Sequence, residues 1–471
     1  MKNINWIILI ILFAPAFGVA DDAYKISVNI SGMTNEECFL GYHFGDKRYL
    51  QDTANVNNEQ AVFTGEQPLA PGVYFIYTPN SIYLEILITK KEQQFSLTSS
   101  KDNLVNNLQI EGSPSNILFH SFQKKGIEKQ REAAAIQEQL KNLEDPNGDD
   151  GEQLRRQLQK IDQELRAFRK DITDNNPGSL VAKIIRGSEK PALPEELKAA
   201  NSGDPVTEYM FYRDHYFDNI DLSSPVMLRT PIYHNRIMEY LDRYTVPHPD
   251  STSAAARRVV EQSMDNEETF RYVLVTVTNK YETSTMMGME NVFVTLAKEF
   301  YLDGDADWVD QKTMKKIEER VQELEPNLIG KKAPQMFLAN ENGEPVNLYS
   351  VNGKYTVLYF YDPNCGNCKK KTPIVYEAYE QFKDQNVAFM GVCTITKEDD
   401  WRNYVKENNL EWINVADLQV RSNFRADYNI VSTPRIFILD EKKKIVARRI
   451  GAEDIAPFLS RMMEDSRSGD D

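Results

Sequence analysis

The chain has 471 residues, too many for one ordinary domain, and 41% of them are hydrophobic, enough for buried cores. A formal net charge of −16 argues against a nucleic-acid binder, and four cysteines exclude a disulfide-stapled scaffold.

Residues 1–20 read as a secretory signal peptide. Lys2 supplies the basic start, residues 6–13 an unbroken apolar run, and Gly18-Val19-Ala20 the small residues before a cleavage point. The run is short for a membrane span and no later segment looks transmembrane, so a soluble, exported protein is expected. Residues 21–113 read as an all-β, sandwich-like domain. Over 24–30 apolar and polar residues alternate at period two. Runs at 60–64, 72–77 and 82–89 follow, set apart by Gly, Pro, Asn and Asp. Cys38 falls in a strand and is expected to pack as a small hydrophobe. Tyr74, Phe75, Tyr77 and Tyr83 are expected in the core rather than on a ligand platform.

Residues 114–328 read as an α-helical middle region that opens with a hairpin. Leu154, Leu158, Ile161, Leu165, Phe168 and Ile172 step by four and three, a heptad seam. Ala133, Ile136, Leu140 and Leu143 give an earlier helix a similar stripe, and Asp145-Pro146-Asn147-Gly148 breaks the two apart. Packing within the chain is the expected use of the seam; a homodimer contact is the alternative. Further helices are predicted over 226–244, 254–263, 270–281, 290–301 and 312–324. Arg229 reads as a structural partner before an anion clamp, and Met286, Met287 and Met289 as packing before a pliable surface. His215, His234 and His248 lack metal-ligand spacing.

Residues 329–466 hold the pattern with chemistry in it. An apolar run over 355–361 reads as a buried strand and a helical pattern over 369–382 follows. Between them lies Cys365-Gly366-Asn367-Cys368. That order puts the first sulfur at a helix N-terminus, where the dipole and free N–H groups stabilise a thiolate. Structural zinc needs about four Cys or His ligands. No His lies beyond His248, and the one later cysteine is Cys393, so no metal site is expected. A purely structural disulfide across so tight a loop gains little stabilisation. Redox chemistry is the reading these residues favour. Cys393 ends a buried strand expected over 387–393, with a helix over 397–407 and a strand over 411–415 beyond it. Val431-Ser432-Thr433-Pro434-Arg435 then leads into a strand over 436–440, and 467–471 reads as a disordered acidic tail.

The segment from Phe360 to Cys368, with Thr433-Pro434 some 65 residues on, resembles the thioredoxin superfamily. It is most similar to the TlpA/ResA-like periplasmic thiol-disulfide oxidoreductases, which share a leading segment like Gly330-Lys331-Lys332-Ala333-Pro334 and an extra element after the central strand. The resemblance covers under a third of the chain. It extends to the rest in one respect: exported proteins of this kind often carry an N-terminal β-domain and a helical middle domain.

The resemblance implies an α/β thioredoxin-like fold, with Cys365 as nucleophile and Cys368 as resolving thiol. It implies a cis peptide at Pro434, which packs beside the sulfurs and keeps metals away. Thr433 would offer backbone hydrogen bonds to an extended substrate, with Gly366, Asn367 and Lys371 as supporting residues. Implied partners are protein disulfides and a membrane electron donor of the DsbD/CcdA type, with no bound cofactor and a periplasmic location. Without a His between the cysteines a reducing or intermediate potential is expected; Lys369, Lys370 and Lys371 pull the other way. Two departures stand out. Lys371 occupies a position where many relatives carry Glu, and Tyr359 replaces the buried Asp of thioredoxin itself. Asp362 and Glu377 are the remaining acidic candidates, the former expected in a turn, the latter on a solvated face. The activity that the resemblance implies is reduction or isomerisation of periplasmic protein disulfides; the competing reading is an envelope protein- or ligand-binding or assembly module whose thioredoxin-like domain is regulatory or non-catalytic.

Overall fold

A computed structural model describes residues 24–34, 37–79, 82–201, 204–304 and 306–468. The expected signal peptide lies outside the described residues, as does 469–471 of the expected tail. The chain divides into two compact units. One holds the residues up to Ala192 with Phe217–Asp221 and Pro225–Arg236; the other holds Leu193–Tyr216, Leu222–Ser224 and the chain from Ile237 on.

In the first unit, eight strands run as β1 (Tyr24–Ser31), β2 (Glu37–Phe44), β3 (Lys47–Asn55), β4 (Gln60–Gly65), β5 (Gly72–Thr78), β6 (Ile82–Ile88), β7 (Gln94–Ser100) and β8 (Gln109–Glu111). They form two four-stranded sheets, β4-β1-β7-β8 and β3-β2-β5-β6. Ile26, Val28 and Leu97 of one meet Leu40, Ile76 and Ile86 of the other in a single core, which also takes in Cys38 and Tyr74. That is the expected sandwich, and period-two alternation is its cause.

The aromatic expectation needs correcting. Tyr77 and Tyr83 stay 37% and 44% exposed. They stack on Phe39 and Phe75 at 4.9 and 5.7 Å, on the outer face. The residues alternate along β5, so Tyr74 and Ile76 turn inward and Phe75 and Tyr77 to the outer face; Tyr74 and Phe75 are buried as expected.

Helix α1 (Pro114–Lys141) starts on Pro114, with the Ser113 side chain accepting from Asn116 N. Asn116 is buried and satisfies strand β6, exchanging hydrogen bonds of 2.7 and 2.8 Å with the Leu87 backbone. Helix α2 (Asp149–Asn175) folds back along α1, and Lys129 reaches Glu164 across the pair at 2.6 Å. Ile161 and Ile172 of the predicted seam are buried, and its other members are half-buried. Phe119 and Ile172 join Val73, Leu87 and residues of α3 (Leu180–Ser188) in a second cluster.

The helix expected over 226–244 is two helices, α6 (Pro225–Leu228) and α7 (Tyr233–Arg243), after α4 (Glu195–Asn201) and α5 (Pro205–His215). Pro231 between them lacks an N–H and disfavours helix in the residue before it. The turn approaches β5 closely: a Cβ on Gly72 would lie 2.4 Å from Arg229 Cβ, so only glycine fits. Arg229 itself lies over the Phe44 ring at 5.5 Å and donates to Pro225 O at 3.0 Å, a structural role.

The second unit continues with α8 (Pro249–Glu261), which starts earlier than expected because Pro249 fits the first helical position. Next come α9 (Glu267–Glu282), α10 (Glu290–Leu296) with a π-helical turn over Ala297–Leu302, and α11 (Gln311–Leu324). After them stands a seven-stranded mixed sheet in the order β10-β9-β13-β12-β11-β14-β15. Its strands are β9 (Phe337–Asn340), β10 (Pro345–Asn347), β11 (Tyr355–Tyr361), β12 (Val387–Cys393), β13 (Ile413–Ala416), β14 (Arg435–Asp440) and β15 (Ile445–Arg448). Central β11 runs parallel to β12 and antiparallel to β14. Every residue of β11 is buried, which explains its unbroken apolar run. Val357, Tyr359 and Tyr361 join one core with α12 (Gly366–Phe382), α13 (Glu398–Glu407) and α15 (Ile455–Ser468). Leu358 and Phe360 join the other, with Phe424 of α14 (Phe424–Asp427) and Tyr428. The sheet thus has helices on both faces, the arrangement of a thioredoxin-like domain.

Candidate active site

Strand β11 ends in a turn that delivers the first cysteine. Asp362 Oδ1 accepts Asn364 N–H at 2.7 Å, and Asp362 O accepts Cys365 N–H at 3.0 Å. Asp362 is therefore a turn residue, as expected. Cys365 caps α12 with extended backbone, and the helix begins at Gly366, earlier than its apolar pattern suggests. Four N–H groups at such an end have no partner inside the helix.

The two thiols sit in opposite surroundings. Cys365 is partly exposed and Cys368 is fully buried. Burial works against ionising Cys365. The Cys368 N–H, the Cys368 thiol, contact with Thr433 and the Asn367 N–H outweigh it, and the Cys365 thiol is held below its ordinary value. Burial instead pushes Cys368 up to about 11, although Asp362 N–H donates to its Sγ at 3.5 Å. All four cysteines are free thiols.

Thr433-Pro434 is a cis peptide, and Cys365 Sγ lies 3.6 Å from Thr433 O. The structure therefore brings Cys365, Gly366, Asn367, Cys368, Thr433 and Pro434 together. Lys371 goes elsewhere, to an ion pair with Glu453. Lys369 and Lys370 are exposed on α12, where water screens them; the groups that lower Cys365 are backbone N–H and sulfur contacts. Glu377 is exposed, the solvated face expected of it.

Sequence reasoning missed what stands behind the dithiol. The Tyr359 and Thr372 hydroxyls are 2.8 Å apart, and Thr372 and Tyr404 hydroxyls 2.7 Å apart, all buried. Tyr359 OH also lies 3.5 Å from Cys368 O. Where thioredoxin has a carboxylate, this chain has a neutral chain of three hydroxyls. Thr372 follows the CxxC closely, but Tyr404 comes from another helix, and no sequence signal joins them. A cleft of about 350 Å³ opens beside the motif, lined by Asn364, Cys393, Thr394, Ile395, Val420 and Arg425 among others. Burial raises the Cys393 thiol to about 12, so it is no competing nucleophile.

Among the described residues no group of three or more His, Cys, Asp or Glu is placed to hold a metal, and no helix is long and apolar enough to cross a membrane.

The AhpC/TSA family matches residues 329–448. Two domains of unknown function, DUF5106 and DUF4369, match 158–327 and 24–119. The chain is 26% identical over 125 residues to the thiol-disulfide oxidoreductase ResA of Bacillus cereus, covering 26% of this chain and 71% of that protein. It is 28% identical over 152 residues to the thioredoxin-like protein YneN of Bacillus subtilis, covering 32% of this chain and 84% of that protein. The crystal structure of a thioredoxin-like protein from Bacteroides caccae matches 58% of this chain and 97% of its own at 20% identity, with a TM-score of 0.45.

Proposed function

We propose that Cys365 and Cys368 exchange disulfides with exported client proteins, a reading supported by the match of residues 329–448 to the AhpC/TSA family and by the similarity to ResA-type thiol-disulfide oxidoreductases. One observation carries the reading: Cys365 sits partly exposed at the N-terminus of α12, 3.6 Å from the carbonyl before a cis-proline, while Cys368 is fully buried behind it.

The Cys365 thiolate attacks one sulfur of a client disulfide. The S–S bond breaks, a client thiolate leaves, and a Cys365–client disulfide forms. Cys368 then loses its proton and attacks Cys365 Sγ, releasing the second client thiolate. The client gains two electrons, and the Cys365–Cys368 pair is oxidised. A dithiol donor at the membrane, of the DsbD/CcdA type, restores it. The apolar run at 6–13 supports export to the periplasm.

The reduction potential of the pair, from equilibration with glutathione and dithiothreitol buffers, tests the direction. A value near thioredoxin's roughly −270 mV supports a reductase; one near about −120 mV means an oxidant. A folded protein that exchanges with neither small nor protein disulfides removes the reading altogether.

A further inference from the structure

The cis-proline side of the sheet carries more positive charge than it neutralises. Arg435 follows Pro434 and opens β14; Arg448 ends β15, and Arg449 comes next. Glu290, at the start of α10 and only 4% exposed, is the carboxylate that faces them. Arg449 Nη1 donates to Glu290 Oε1 at 2.9 Å. Arg448, 2% exposed, donates to Asn327 O at 2.9 Å. Arg435 has no ion pair among the described residues, and its buried Nε has no hydrogen-bond partner. The nearby Arg320 already has acids of its own, Glu282 and Glu323. Three guanidinium groups therefore share one carboxylate.

The crowding registers in the side chains themselves. Burial, then the neighbouring Arg449, push the Arg435 guanidinium below its ordinary value against the pull of Glu290. Burial and the other arginines push Arg448 down to about 10. Both remain charged at neutral pH. Charges withdrawn from water without a counter-ion are costly, so the cluster favours any anion that reaches it.

Position says which anion. A client disulfide that meets Cys365 lies against Thr433, whose carbonyl is 3.6 Å from the sulfur. Arg435 is two residues further along and half-buried. A guanidinium presents a planar fork that fits a carboxylate through two parallel hydrogen bonds.

We propose that Arg435 receives a carboxylate from the client, an Asp or Glu beside its reactive cysteine, and so selects acidic-flanked disulfides. This rests on the exchange reading above, and the test separates the two. Two disulfide peptides, identical except for Glu or Gln beside the cysteine, are reduced by the full chain at fixed ionic strength. The expected result is a kcat/KM about tenfold higher for the Glu peptide, a ratio that falls towards one in Arg435→Gln and partly returns in Arg435→Lys, which keeps charge without the fork. A purely structural Arg435 predicts a lower melting temperature and an unchanged ratio, and that result overturns the proposal, as does equal reduction of both peptides by the wild type. Sulfate gives the third arm. If it raises the wild-type melting temperature but not that of Arg435→Gln, and no Glu preference exists, the site serves a small anion and the client assignment is wrong. Failure to reduce even a small neutral disulfide would count against the exchange reading instead.

Discussion

The two sheet systems of this protein bury their residues differently. In the N-terminal sandwich, each sheet has one face in the shared core. The β3-β2-β5-β6 sheet leaves Tyr77 and Tyr83 on its outer face. In the C-terminal sheet, β11 is buried on both faces and its end runs directly into a helix N-terminus. The first arrangement leaves some aromatic surface exposed beside the part of that face that Phe119 and Ile172 cover. The second brings two sulfurs, a set of free N–H groups and a turn from a distant strand to one point. A dithiol needs the second kind of place, because a thiolate is stabilised by fixed dipoles that water does not screen.

The sharpest way to break that contrast is at the sulfurs. Cys365→Ser is expected to abolish exchange, a loss of at least about a thousandfold, whereas Cys393→Ser should leave the rate within about twofold, since thiolate character sets reactivity. Cys368→Ser should instead hold a client as a mixed disulfide, visible as a thiol-sensitive band on a non-reducing gel. Free release of the client from that variant speaks against Cys368 as the resolving thiol.

Alkali is a second probe. Cys368 and Cys393 have values raised by burial to about 11 and about 12, from an ordinary 9.0. In each the folded state holds the proton more tightly than the unfolded chain. Their contribution is complete below pH 9.0 and is lost as pH rises through about 11 and then about 12. Cys365 runs the other way: its value is lowered, so its contribution is present above 9.0 and fades as pH falls through the folded value. Urea midpoints measured against pH should fall in alkali, and less steeply in Cys393→Ala. A slope identical in that variant rules out the buried thiol as a cause.

Smaller still is the hydroxyl chain. Tyr359→Phe removes one buried hydrogen bond to Thr372 and is expected to cost about 1 kcal/mol in chemical denaturation. The pH dependence of Cys365 alkylation should stay a single step until Cys368 itself ionises at about 11, because three hydroxyls and not a carboxylate stand behind the pair. A second step well below that in the wild type would mean that another group titrates against the dithiol. Least of all, Tyr83→Ala on the outer face of the sandwich should change stability by about 0.5 kcal/mol or less and leave exchange unaltered. A large drop in exchange there would show that the two units act together.

The dithiol was legible because its parts are close in the chain. Strand, turn, CxxC and helix are consecutive, so local pattern suffices for Cys365 and Cys368. Thr433 and Pro434 were reachable only through resemblance, since nothing local ties residue 434 to residue 365. Lys371 shows the limit: its number places it beside the motif, but its ammonium goes to Glu453 across the fold. The predicted helix over 226–244 failed for a plainer reason, the weight given to its apolar periodicity over the Pro231 that splits it.

Period-two alternation and heptad spacing were enough by themselves to order a β-domain and a helical region along this chain, and an unbroken apolar run before a helical pattern marked the strand and helix around the dithiol, because each is a short-range consequence of how side chains repeat; the α/β fold of that last domain came through resemblance. Tertiary structure alone decided which groups meet. The Tyr359–Thr372–Tyr404 hydroxyls come from three elements, and Glu290 reaches arginines more than 140 residues away. Such encounters depend on how helices pack on a sheet, and charge or hydrogen bonding acts through space over a few ångströms, whatever the separation along the chain.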